Sequence, residues 1–259
     1  MNNNVKEKLS QNRTVLGTFV WSAADAVVES LGYAGLDFVV IDFEHSPVDT
    51  EKAVNLIRIA QSKNLTAFVR VKDVNRSSIV EMLDAGADGL IIPSLRTVDE
   101  VREIIEHGKY DPVGKRGFAL GRRAGYGFEP FAANLEHYFA VNNAETMLLP
   151  MCETKEFLEQ IEEIVDLEGV DGIFVGPFDL SVALGQPGKF NTPEFQAALL
   201  RIVRACQAAA IPAFIFAANP TMAVEQAKIG YRGIALSTDV QTLIQTYRQN
   251  VAQIREVGI

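Results

Sequence analysis

Within four residues the chain presents Asp42, Glu44 and His45, directly after the apolar run Phe38–Ile41. A short run rich in β-branched residues reads as a buried strand. Charges where such a strand ends are costly to bury unless they are paired or face a wet cleft. The arrangement recurs along the chain. Arg70 sits near the end of TAFVRV, Glu153 closes TMLLPMCE, and GIFVGPFD reaches Asp179. Four apolar runs that each deliver an ionisable side chain are what an active site would require.

The residue types suggest a division of labour. Glu153 and Asp179 are hard oxygen donors, suited to Mg²⁺ or Mn²⁺, which keep waters that a bidentate substrate can displace. The competing reading is two solvated strand-end carboxylates, with Asp179 as a helix cap. Asp42 lies three residues before His45 and could reach it as the chain turns out of the strand. A carboxylate beside an imidazole fixes its tautomer and raises its pKa, which suits a general base. A purely structural His–Asp pair is the alternative. Arg70 follows Phe68 in strand phase, so its guanidinium needs an anion: a carboxylate of the protein, or a substrate carboxylate or enolate held by the planar fork. Trp21 ends the first strand and would either wall the site or simply pack. His107 and His137 fall on polar faces of expected helices and read as solvated.

The elements that must position these groups follow from periodicity. Strands are expected at 15–21, 38–45, 66–71, 89–93, 146–153, 172–177, 212–217 and 233–237. Helical spacing or start signals fill the intervals at 22–34, 50–63, 76–84, 97–107, 131–141, 154–167, 193–210 and 220–228, with a last helix from about Val240. The strands are too uniformly apolar for a one-sided sheet, so parallel strands buried on both faces are expected. Eight βα units in a chain of 259 residues make a single TIM barrel over 1–259 the predicted fold. A doubly wound open sheet is the runner-up, but no G-x-G-x-x-G follows the first strand. In a barrel, active sites occupy the C-terminal end of the strands. His45, Arg70, Glu153 and Asp179 follow strands 2, 3, 5 and 6 and would crowd that end.

Composition narrows the classes. A net charge of −9 argues against nucleic-acid or anionic-membrane partners. The two cysteines, Cys152 and Cys206, lie in apolar elements and suggest no disulfide framework. No run of about 18 apolar residues suggests a membrane span, and the polar opening MNNNVKEKLSQNR lacks the apolar core of a signal peptide. The cytoplasm is the expected location. Segment 111–130 holds five glycines and the cations Lys115, Arg116, Arg122 and Arg123. It reads as an anion funnel, a solvated lid or a subunit contact. Other chemistries lack a signal. No H-x-x-x-H, E-x-x-H or C-x-x-C pattern points to zinc, and no G-x-S-x-G to a serine nucleophile. Strand 6 has no Schiff-base lysine, though Lys72 after strand 3 keeps that route formally open. The loops AANPT and STDVQ after strands 7 and 8 have no glycine for a phosphate site.

At AGLDFVVIDFEHSP, VRV (69–71), MLDAG (82–86), YDPVGKRG and the long stretch from Cys152 to Gly185, the chain resembles the HpcH/HpaI family of metal-dependent, class II pyruvate aldolases. The match runs over nearly the whole chain, and the Glu153–Asp179 spacing is its most specific part. The resemblance implies metal ligands at Glu153 and Asp179, an enolate-stabilising Arg70, and a base His45 with Asp42 as partner. It also implies a pyruvate carboxylate met by the backbone at Gly176 and Pro177. The expected cofactor is a divalent ion (Mg²⁺, Mn²⁺ or Co²⁺). The expected reaction is reversible aldol cleavage of a 4-hydroxy-2-oxo acid, such as 4-hydroxy-2-oxoheptanedioate or 2-dehydro-3-deoxyglucarate, to pyruvate and an aldehyde. It further implies a homohexamer that exchanges the last helix, here Val240–Ile259. The chain departs from the family in reading ALSTD late in strand 8, where a glycine is common, and in GFALGRRAGYGF. Both regions can touch the aldehyde end. An acyl-CoA lyase of the citrate lyase β-subunit type is the alternative within the class, although no extra CoA-binding segment is evident. A non-catalytic oxo-acid-binding barrel is the alternative outside it, and would need no His45–Asp42 base.

Overall fold

The structure, a computed structural model, describes residues 4–256. Eight parallel strands close into a barrel in sequence order. They are β1 (Val15–Val20), β2 (Phe38–Asp42), β3 (Thr66–Arg70), β4 (Gly89–Ile92), β5 (Met147–Cys152), β6 (Ile173–Val175), β7 (Ala213–Ala217) and β8 (Gly233–Thr238). The helices are α1 (Asn4–Ser10), α2 (Asp25–Leu31), α3 (Thr50–Ser62), α4 (Arg76–Asp84), α5 (Val98–Gly108) and α6 (Leu135–Glu145). They continue with α7 (Lys155–Glu159), α8 (Ile161–Val165), α9 (Pro177–Ala183), α10 (Pro193–Ala208), α11 (Pro220–Ile229) and α12 (Asp239–Glu256). With helices surrounding the closed sheet, this is the expected (β/α)8 barrel.

The strand period of two sorts each strand into an outward and an inward series. Outward residues such as Val39, Ile41, Ala67 and Val69 join Leu56, Ile57 and Leu83 in the layer between strands and helices. Inward residues Phe38, Val40, Phe68, Leu149, Met151, Phe174 and Phe214 fill the barrel. The ring of Phe68 meets those of Phe38 and Phe214 edge-on, at centroid distances of 5.4 and 6.1 Å. This aromatic plug occupies the lower barrel, and the inward series continues above it with polar groups. One further step of two residues from Val40 reaches Asp42, from Phe68 Arg70, and from Met151 Glu153. The same period that builds the core therefore aims the chemistry into the mouth.

Helix boundaries depart from the sequence expectations in several places: α1 lies outside the expected helices, and the helix expected over 22–34 is shorter, at Asp25–Leu31. The helix expected over 154–167 is two short ones, because Gln160 leaves helical geometry and its amide donates to the carbonyls of Arg96 and Glu156. Gly176-Pro177, expected as the end of β6, instead opens α9, with Pro177 in the first turn where its missing N–H costs nothing. The helix expected from Phe131 begins at Leu135, after a 3-10 turn at Pro130–Ala133.

The last helix is the exposed one. Beyond Asp239, α12 packs little on its own barrel, and Leu243, Ile244, Tyr247 and Ile254 are all exposed. On the outer wall of β1, Leu16 remains 41% exposed, which is unusual for an outward strand residue beneath a helical layer. Residues 257–259 of the stretch expected to exchange lie outside the described residues.

Candidate active site

Arg70 and Asp42 are paired in register between β3 and β2. The guanidinium donates from Nε to Asp42 Oδ1 at 2.9 Å and from Nη2 to Oδ2 at 2.5 Å. The indole of Trp21 donates to the same carboxylate at 2.6 Å. Asp42 is fully buried. Burial pushes its carboxyl upward, but the Arg70 fork outweighs this and holds it below the usual carboxylate range. Arg70 stands over the face of Phe19, with Cζ 4.9 Å from the ring centroid, and its Nη1 lies 3.1 Å from Glu44 Oε2. Of its five N–H groups, those on Nη1 and Nη2 not turned to Asp42 or Glu44 remain for a ligand.

This geometry corrects one expectation. Asp42 does not orient the His45 imidazole, because its oxygens are taken by Arg70, Trp21 and the backbone N–H groups of Glu44 and His45. The strand ends at Asp42, and the following turn closes on its carboxylate through backbone donors, sending the imidazole outward. His45 Nε2 instead lies 3.7 Å from Glu44 Oε2, and its side chain is 54% exposed. Glu44 thus joins Arg70 to His45, a role that its position between Asp42 and His45 in the chain signalled only as one more charge.

Glu153 is 6% exposed and accepts from the Ser94 N–H at 2.5 Å. Ser94 holds a left-handed backbone (φ 61°) just after β4, a local strain of the kind found at functional sites. Burial pushes Glu153 up to about 7, and the nearby charges of Asp179 and Glu44 add to the rise. Glu44 is likewise raised, by burial first and then by Asp42 and Asp179. Asp179 lies exposed in the first turn of α9. A Cβ at Gly176 would stand 2.7 Å from Glu153 Oε2, so only glycine leaves room beside that oxygen.

These residues fit a divalent cation. The carboxyls of Glu153 and Glu44 are both raised, first by burial and then by neighbouring charge, and a bare Gly176 keeps space at the buried Glu153 oxygen. Among the described residues no group of three or more His, Cys, Asp or Glu is arranged to hold a metal. The protein would supply Glu153 and Asp179, with waters and substrate completing the shell, as Mg²⁺ commonly requires. Lys72 stands 5.5 Å from the Phe43 ring and does not line the cavity.

The cavity at this end has a volume of about 330 Å³. Its lining includes His45, Arg70, Gly176, Pro177 and Asp179 together with Trp21, Phe178, Phe216, Thr238 and Gln241. A larger cavity of about 490 Å³ opens at the opposite end, beside Lys6, Met147 and Asp171. It lies at the strand N-termini, the end that barrels reserve for stability.

The profile of the HpcH/HpaI aldolase/citrate lyase family matches residues 15–246. The chain belongs to this family. As an HpcH/HpaI member it is an enzyme of the aldolase and lyase class. It is 33% identical to a hydroxypyruvate/pyruvate aldolase of Paraburkholderia phytofirmans over 98% of both chains. It is 30% identical to a 2-keto-3-deoxy-L-rhamnonate aldolase of Escherichia coli over 98% of this chain and 94% of that one. An HpcH/HpaI aldolase/citrate lyase family protein from Burkholderia cenocepacia superposes with a TM-score of 0.90 at 29% identity, covering 98% of this chain and all of the other. The citrate synthase SbnG superposes at 0.88 with 25% identity over 99% of both chains. Among the described residues no helix is long and apolar enough to cross a membrane.

Proposed function

We propose that this enzyme catalyses reversible, divalent-metal-dependent aldol cleavage of a 4-hydroxy-2-oxo acid to pyruvate and an aldehyde. The observation that carries the reading is the buried carboxylate Glu153 beside the bare Gly176, with Gly176, Asp179 and the oriented guanidinium of Arg70 lining one cavity. Glu153 and Asp179 would hold the cation, which would supply Lewis acidity for a 2-oxo acid. Arg70 supplies fixed N–H donors for the charge that develops on the pyruvate oxygen as the C3–C4 bond breaks. Asp42 and Trp21 keep that fork in place, so little reorganisation is needed when the charge appears. His45, beside Glu44 at the mouth, takes the proton of the 4-hydroxyl, directly or through a water. The opening of α9 at Gly176 and Pro177 offers its backbone to the pyruvate carboxylate. The relatives named for hydroxypyruvate, pyruvate and 2-keto-3-deoxy-L-rhamnonate support an oxo acid as the nucleophile.

The exposed apolar residues of α12 and the uncovered Leu16 support exchange of that helix between subunits of a homohexamer, and we read the enzyme as cytoplasmic. A panel of aldehydes incubated with pyruvate and Mg²⁺, Mn²⁺ or Co²⁺ tests the function, with products read by mass. Addition products of pyruvate are expected. Turnover of acyl-CoA esters in their place would transfer the site to the lyase alternative, and no turnover at all would favour the binding barrel.

A further inference from the structure

The floor of the barrel uses one construction three times and departs from it once. The residue that leads into each even strand donates its N–H to a carbonyl of the odd strand before it. Asp37 donates to Leu16, Asp88 to Ala67, Asp171 to Leu148 and Arg232 to Ala213. In the first three, the side-chain carboxylate accepts the N–H of that same odd-strand residue, at 2.8, 2.9 and 2.9 Å. Two of these carboxylates also meet cations, Asp37 with Lys8 and Asp171 with Lys6 and Lys109.

The fourth quarter inverts the sign. Arg232 leads into β8 and has no side-chain acceptor to offer. Among the described residues no side chain accepts from the Ala213 N–H. The Arg232 guanidinium donates from Nε to Asn12 Oδ1 at 3.2 Å. Among the described residues its Nη1 and Nη2 donate to no protein group, and it makes no ion pair.

The cavity of about 490 Å³ at the strand N-termini opens at this quarter. Its size is that of small-molecule sites, about 300–1,000 Å³. Asn12, Gln207 and Arg232 bring polar groups to its wall, Leu9 and Ile211 bring apolar ones, and Ala213 lines it as well. Asp171, the one carboxylate of the lining, is already taken by Lys6, Lys109 and the Leu148 N–H. The wall therefore holds a guanidinium without a counter-charge beside an apolar surface.

We propose that this cavity binds a short-chain carboxylate, whose anionic group fills at β8 the place that Asp37, Asp88 and Asp171 fill at the other even strands. Arg232 meets it with a planar fork, the Ala213 N–H supplies the strand donor, and the apolar tail lies along Leu9 and Ile211. The site shares no residue with the cavity at the opposite end, so the ligand acts on the stability of the floor and not on reacting atoms.

Ligand-observed NMR of the full-length, metal-free enzyme with butanoate tests this. Wild type should bind butanoate with Kd of about 1 mM or tighter. Butan-1-ol, which keeps the chain and lacks the charge, should bind weaker by about tenfold or more. Arg232→Gln should weaken butanoate by about tenfold or more, and Arg232→Lys should weaken it less. Gln207→Glu, which adds a like charge at an exposed position, should weaken it by about tenfold or more, and decides the matter if Arg232→Gln does not fold. Arg70→Ala and Asp179→Asn should leave the affinity within about twofold of wild type. Absence of binding to wild type would overturn the inference, as would affinity unchanged in both Arg232→Gln and Gln207→Glu. A loss in Arg70→Ala would place butanoate at the other end of the barrel and overturn it too. Butan-1-ol binding as tightly as butanoate would remove the role of Arg232. Inorganic phosphate displacing butanoate at equal concentration would overturn the carboxylate assignment in favour of a general oxyanion site.

Discussion

Arg70 and Asp42 face each other across adjacent strands, joined by two hydrogen bonds of 2.9 and 2.5 Å. The pair does for the guanidinium what a second carboxylate does in a buried network. It fixes the plane of the fork before substrate arrives, and its charge is balanced without solvent. Arg70→Ala should cost about 10²–10³ in kcat/KM, the scale of losing one oxyanion donor. Arg70→Lys should recover little, because a point charge cannot span both oxygens of Asp42 and still face the cavity. Steady-state kinetics of cleavage decide this; a lysine variant near the wild-type rate would show that only net charge matters there.

Asp42 carries a separate expectation now that it is placed on Arg70 instead of His45. Asp42→Ala leaves a buried guanidinium short of its main partner, and breaking such a pair costs about 3–5 kcal/mol. Denaturant unfolding of the metal-free protein should show the loss. Asp42→Asn should retain the fold better and lower kcat, with the pH profile attributable to His45 left in place. A shift of that profile in Asp42→Asn would return Asp42 to the imidazole.

His45 can be separated from the enolate machinery by comparing two reactions. Aldol cleavage needs a base for the hydroxyl proton, whereas decarboxylation of oxaloacetate reaches the same enolate from a carboxylate. His45→Ala should slow cleavage by about 10²–10⁴ and decarboxylation far less. Arg70→Ala and Glu153→Ala should damage both. An equal loss in both reactions for His45→Ala at saturating metal would mean that His45 supports the enolate or the fold.

The raised Glu153 predicts a pH dependence of metal binding. A carboxylate lifted to about 7 by burial holds its proton below that pH, and a ligand must shed it to bind a cation. Mn²⁺ affinity of the metal-free enzyme should therefore rise about tenfold per pH unit up to about 7 and then level off. Asp179→Asn should weaken binding yet keep a rise with pH, because burial is the larger cause of the shift. Glu153→Gln should abolish binding and slope together. Titration followed by the paramagnetic signal of free Mn²⁺ checks all three.

Two predictions concern β8 and α12. Ser237→Gly should relieve the left-handed backbone of that residue (φ 55°) and stabilise the fold by about 1 kcal/mol, a gain visible in thermal unfolding. Leu243→Lys combined with Tyr247→Lys should lower the assembly state seen by light scattering, because both side chains are exposed on the single chain. An unchanged mass would remove α12 from the subunit contacts.

The barrel and the end at which its chemistry collects were legible because both follow from local periodicity. Phe38, Val40 and Asp42 share one phase of β2, as Met151 and Glu153 do beyond β5, so an apolar run ending on a charge already implied an inward-facing acid. The partner of Asp42 was not legible. His45 was the near neighbour in the chain, and strand register, set by the whole barrel, brought Arg70 opposite Asp42 instead. Neither was the lining from β8 and α12. Thr238 and Gln241 line the cavity just past a one-residue slip in the β1–β8 pairing, and a slip in register leaves no periodic trace in the chain. The split of α7 from α8 was hidden for a similar reason, since Gln160 is an ordinary helix residue until its amide finds the carbonyl of Arg96.

The central claim is that Glu153 and Asp179 hold a cation that lets this barrel form the pyruvate enolate. It is tested most directly by the exchange of pyruvate methyl protons into D₂O, followed by proton NMR without any aldehyde. Exchange should vanish in the chelated enzyme, return with Mg²⁺ or Mn²⁺, stay absent in Glu153→Gln, need more metal in Asp179→Asn, and survive in His45→Ala. Undiminished exchange after exhaustive chelation, together with capture of pyruvate on Lys72 by borohydride, would contradict the account and replace the metal with a Schiff base.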